Sequence, residues 1–135
     1  LYVGEDRIVQ LLMEDTSIRQ CTSLWDQLGN ALIGIGRGDT VDTKDPHFLA
    51  ALDAVGRSRV AAAVCGWFVD GEGNAIKGRN TTSVNVDQLK KARSVIAIAG
   101  GKSKARAILA VLRGKFVTHL VTDEDVAREI LFMQS

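Results

Sequence analysis

The chain has 135 residues, room for one domain with a real core. Hydrophobic residues make up 46% and charged residues 24%, an ordinary globular balance, and no apolar stretch nears the roughly 18 residues of a membrane span. A formal net charge of +1 excludes nucleic-acid or membrane binding driven by bulk electrostatics alone. No charged-then-apolar leader opens the sequence. Cys21 and Cys65 stand without a Cys or His at metal spacing, so both read as reduced, buried thiols and the cytoplasm is the expected compartment. The first residue is Leu1 rather than Met, which reads as a segment of a longer chain.

In chain order, residues 5–14 carry apolar positions at helical spacing, ending at Glu14 and Asp15. A second helix is expected from an N-cap at Thr16 or Ser17 to about Leu28. Residues 30–36 form a short apolar run closed by glycines, as in a strand buried on both faces of a parallel sheet. Residues 39–45 read as a polar loop. Pro46, the sole proline, suits the first position of a helix to about Val55, with Gly56 as its stop. Residues 61–70 are a second apolar run, and residues 75–77 are placed to return as a hairpin arm after the glycines at 71 and 73. Residues 81–86 are β-prone, and Asp87 is a candidate cap for a short helix to Ala92. A strand at 95–99, a helix at 103–113, a strand at 117–122 and a helix capped by Asp123 complete the chain. Strands alternating with helices predict an α/β fold, with the runs 31–35, 63–69, 95–99 and 118–122 in one mainly parallel sheet covered by helices on both faces.

The stretch 95–113 carries the most chemistry. An apolar strand turns at Gly100 and Gly101, passes Lys102 and Lys104, and runs into a helix. Backbone N–H groups and the positive end of the dipole at such a helix start make a ready anion site. Lys104 in the first turn opposes that dipole, which makes sense if an anion is sometimes present. The plainer reading is two solvated lysines after a tight βα turn, because the pattern is not a complete phosphate loop. Gly34, Gly36 and Gly38 resemble part of a dinucleotide fingerprint, but no helix follows at once. They suit a loop at the carboxyl end of a strand, where open α/β sheets bind ligands. Asp70 ends an apolar run beside glycines that permit close approach of a ligand; its alternative role is to hydrogen-bond its own turn. His119, within a strand, reads as a packed or edge histidine, and no serine lies in a nucleophile elbow.

Several segments together resemble the SorC family of bacterial transcriptional regulators. They are residues 66–73 with Trp67, Phe68 and Asp70, then 87–89, 95–104, 107–114 and 120–123, in the family's order, preceded by the strand 33–36. The resemblance runs from about Leu1 to Leu131. It implies an effector-binding domain related in fold to sugar-phosphate isomerases and acyl-CoA transferases, taking a sugar or phosphorylated sugar and needing no cofactor or metal. It implies ligand contacts at Asp70 and Lys104, with Gly100 and Gly101 lining the approach and Gly36 at the neighbouring strand end. It implies a homo-oligomer that reaches DNA through a helix-turn-helix outside these residues and touches no membrane. On this resemblance residues 1–135 are the larger, C-terminal part of that domain, without its first strand, loop and helix. Many relatives carry an acidic residue and an arginine where this chain has Ala63 and Trp67, so its ligand need not be theirs. Two other readings stay open. One is an aldose–ketose isomerase using Asp70 and Lys104. The other is an oligomerisation module whose glycine turn meets no ligand.

Overall fold

The computed structural model describes residues 3, 5–39, 46–76 and 82–134. Helix α1 (Asp6–Glu14) is amphipathic, yet none of its residues is buried. The chain leaves it at Asp15, whose extended backbone ends one helix while its carboxylate caps the next. That carboxylate accepts the N–H groups of Ser17 and Ile18 and starts α2 (Thr16–Thr22), so Thr16 and Ser17 lie inside the helix and are not its cap. The rest of the expected second helix, Ser23–Gln27, tightens to a 3₁₀ turn.

Strands β1 (Asn30–Gly34), β6 (Ser94–Ile98) and β7 (His119–Val121) form a parallel sheet with β6 in the centre. The register pairs Gly34 with Ile98 and Ile98 with Val121, so all three strands end at one level. The expected α/β class and a parallel sheet flanked by helices are observed. Two details of the expectation are corrected. The inward residues Val95 and Ala97 are buried, but Leu32, Ile98 and Val121 on the other face are 70%, 54% and 53% exposed, so an apolar run does not here mean two covered faces.

The second correction concerns residues 63–69, which do not join the parallel sheet. After Ile35 the chain passes into a four-stranded antiparallel sheet in the order β2 (Gly36–Arg37), β3 (Val60–Val64), β4 (Trp67–Asp70) and β5 (Ala75–Ile76). The run breaks at Cys65 and Gly66, with φ of 49° and 83°, in a two-residue turn that pairs Val64 with Trp67. Tight hairpins need positive φ at both central positions, which an apolar cysteine does not advertise in sequence. The expected hairpin arm is β5; Lys77 lies outside the described residues, as do residues 40–45 of the polar loop.

Helix α3 (Pro46–Val55) begins at Pro46 as expected and stops at Gly56, with φ of 89°. Leu52, Val60 and Phe68 form a small cluster holding it to the second sheet. Residues 82–85 are irregular and not a strand, and Asn85, not Asp87, caps α4 (Val86–Lys91) in a reciprocal capping box with Gln88. Helix α5 (Ala105–Arg113) buries six of its nine residues, and α6 (Glu124–Met133) is capped by Asp123 as expected. One core cluster joins Val95 of β6, Val64 of β3, Ile108 of α5 and Val126 of α6. The second sheet also meets the end of α5 backbone to backbone: a Cβ on Gly73 would lie 2.3 Å from the Gly114 nitrogen.

Candidate functional site

Because the parallel strands end together, three loops share the carboxyl edge of that sheet. They are Gly34–Gly36 after β1, Ala99–Lys104 after β6, and Thr122–Asp123 after β7. Of the residues singled out in the sequence, Gly36, Gly100, Gly101 and Lys104 stand on this edge.

The turn after β6 is built differently from a bare helix start. Gly101 takes φ of 93°, and Lys102–Lys104 form a 3₁₀ turn in which the Lys104 N–H donates to the Gly101 carbonyl at 2.8 Å. Lys104 therefore precedes α5 and does not sit in its first α-turn. Its side chain is half-buried, and its ammonium has no ion-pair partner among the described residues. Lys102 is not simply solvated: its Nζ lies 3.3 Å from a carboxylate oxygen of Glu129 on α6.

The two glycines face a carboxylate of the protein itself. Asp123 accepts the Gly101 N–H through Oδ2 at 2.6 Å and the Val126 N–H through Oδ1 at 2.9 Å. A Cβ on Gly100 would lie 2.7 Å from that Oδ2. These bonds, Gly101 first and then Val126, hold the Asp123 carboxyl below the usual carboxylate range. Beside it the Thr122 hydroxyl is buried and has no hydrogen-bond partner among the described residues.

On the β1 side, Arg37 binds Asp39 in a fork at 2.8 and 3.0 Å. Arg37, and more weakly Arg106 on the first turn of α5, keep the Asp39 carboxyl low. Sequence reasoning did not find Arg37 and Arg106 as neighbours of the strand ends. Nothing in the sequence at either position distinguishes them from surface cations.

Asp70 is elsewhere. Its Oδ1 accepts the Glu72 and Asn74 N–H groups at 3.0 and 2.8 Å, and its Oδ2 accepts the Asn74 amide at 3.0 Å. The Asn74 amide, followed by the backbone bonds, holds its carboxyl low. The turn sits on the far end of α5, where Arg113 donates to the Gly71 carbonyl and Gly73 abuts Gly114. Lys104 precedes the first residue of this nine-residue helix, so about 13 Å of helix separates the two ends. The structure does not bring Asp70 and Lys104 together, and the turn role of Asp70 accounts for its geometry. The isomerase reading loses its paired acid and base with that separation. Among the described residues, no three His, Cys, Asp or Glu side chains converge as metal ligands do, and no helix is long and apolar enough to cross a membrane.

Residues 1–132 match the family model described as "Putative sugar-binding domain". This chain belongs to that sugar-binding family. The sorbitol operon regulator of Klebsiella pneumoniae is 30% identical over 89% of this domain and 40% of the regulator. The central glycolytic genes regulator of Priestia megaterium is 29% identical over 93% of the domain and 37% of that protein. Among solved structures, full-length SorC from Klebsiella pneumoniae is 29% identical with a TM-score of 0.85, covering 96% of this domain and 44% of that chain. The domain thus spans less than half the length of these transcriptional regulators. Within it Ala63, one of the two departures noted in the sequence, pairs with Gly36, while Trp67 pairs with Val64 at the hairpin turn.

Proposed function

We propose that residues 1–135 are the larger part of the effector-sensing domain of a cytoplasmic bacterial transcriptional regulator. A sugar or phosphorylated sugar binds at the carboxyl edge of the parallel sheet without being turned over. The observation that carries this reading is the Lys104 ammonium, without an ion-pair partner among the described residues, standing at the start of α5 where the parallel strands end. The effector's anionic group lies at the turn Gly100–Lys104, with Lys104 as counter-charge and Gly36 on the opposite wall. Ligand favours one arrangement of the domain over another, and that preference biases operator binding by a helix-turn-helix outside these residues, in a homo-oligomer.

The test is calorimetry against hexose and pentose phosphates, with the sugars analysed afterwards. Binding with unchanged sugar supports sensing, interconverted sugar would restore an isomerase, and no binding would leave an oligomerisation module. Lys104→Ala should weaken binding roughly ten- to a hundredfold, the worth of a hydrogen bond to a charged group. It should leave the unliganded protein as stable or slightly more so, since it removes a cation from the positive end of α5. Unchanged affinity would make Lys104 a surface charge.

A further inference from the structure

We propose that Asp123 is the positioning residue of the effector turn, and that the paired glycines at 100 and 101 exist to receive its carboxylate. This rests on the reading of the turn as the effector site. Two glycines in succession leave a loop with many accessible conformations, and each must be lost when a ligand orders it. Asp123 removes that freedom before any ligand arrives. One carboxylate oxygen takes the Gly101 N–H at 2.6 Å, the short distance of a charge-assisted bond. The other takes the Val126 N–H and is anchored to the start of α6. A single side chain therefore ties the loop after β6 to the helix after β7. The steric relation runs the same way: a side chain at Gly100 would collide with the Asp123 oxygen that holds Gly101. A ligand is not needed to explain either glycine. What the ligand gains is a turn already shaped, with the Lys104 N–H closed onto the Gly101 carbonyl and its ammonium carried at the edge of the sheet.

Asp123→Ser and Asp123→Asn separate this role from helix capping. Both residues cap helices well, so α6 should keep its start, and the melting temperature should fall only by what the lost charge and Gly101 bond contribute. Serine is too short to reach Gly101 while capping, and asparagine that caps through its oxygen presents its N–H₂ to the Gly101 N–H. Affinity for whichever hexose or pentose phosphate the parent binds should fall about tenfold or more in both variants. In the unsubstituted protein the Gly101 amide should exchange slowly with solvent deuterium, and in the variants quickly. If the parent binds and Lys104→Ala weakens it while both Asp123 variants bind like the parent, the positioning role is wrong and the site reading stands. If the parent binds none of these phosphates, both fall. Rapid exchange at Gly101 in the parent overturns the role whether or not the variants fold.

Discussion

Asp70 and Asp123 each follow an apolar strand, and the structure gives them different tasks. Asp70 closes its own five-residue turn, whereas Asp123 bridges residues 22 apart in sequence. Both carboxyls are held below the usual range by hydrogen bonds to the charged form, led by the Asn74 amide for Asp70 and by the Gly101 N–H for Asp123. For a carboxyl whose folded pKa is depressed, the linked stability is present above the unfolded pKa of about 3.9 and is lost as pH falls through the folded pKa. The melting temperature should therefore hold from pH 7 to near 5 and decline below about 4. Asp70→Asn should lower it at neutral pH and make the acid decline shallower. An Asp70→Asn profile parallel to the parent's would mean that the turn does not report the charge of Asp70. A loss of sugar-phosphate affinity in that variant, with stability intact, would return Asp70 to the effector site.

At the scale of elements, the joints decide more than the strands and helices themselves. Gly73 has φ of 91° and lies where a Cβ would stand 2.3 Å from the Gly114 nitrogen, so Gly73→Ala strains its own backbone and pushes the second sheet off α5. We expect a loss of about 3 kcal/mol or more, read by urea denaturation. Gly34 has no neighbour within 4 Å of an added Cβ, so Gly34→Ala should be neutral or stabilise by up to about 1 kcal/mol through the unfolded chain. Equal costs at the two positions would refute the backbone contact between Gly73 and Gly114. The Cys65–Gly66 turn makes a similar point. Cys65→Val keeps an apolar group but puts a β-branched side chain at φ of 49°, and should cost about 1–2 kcal/mol. Burial pushes the Cys65 thiol up, so it should react slowly with thiol reagents, whereas Cys21, expected from the sequence to be buried, is exposed and should react faster.

Among the described residues a large core and a smaller cluster under α3 lie against two sheets of different kind, with one face of the parallel sheet left apolar and exposed. Ile108 lies fully buried in α5, and Ile108→Ala should cost about 2–5 kcal/mol, whereas Leu32→Ala on the open face should cost less than about 1 kcal/mol. Comparable losses would mean that Leu32 is covered in solution. With a net charge of +1, residues 1–135 should show no selective, salt-sensitive binding of an operator in a mobility-shift titration, and such binding would contradict the assignment of DNA contact to a separate segment.

Periodicity and punctuation were enough to locate the helices and the three parallel strands, because those signals are local, but they overran the second helix, which tightens at Ser23, and put Lys104 inside α5 instead of before it. The same local signals placed the caps to within a residue or two, missing Asp15 and Asn85 by favouring their neighbours. Apolar run length could not divide residues 61–70 into two strands, because the turn relies on positive φ at a cysteine, which only the pairing of β3 with β4 makes worthwhile. Nor could it reveal an uncovered sheet face, since Leu32 and Val95 are equally apolar as letters and differ only in what lies over them. The candidate site divides the same way. Lys104 and the glycines were visible because they are adjacent in sequence. Asp123 as the partner of Gly101 and the placement of Asp70 at the far end of α5 from Lys104 come from contacts between segments distant in sequence. The first contact was decided by the parallel pairing of β6 with β7, the second by the seating of the β4–β5 turn on the end of α5.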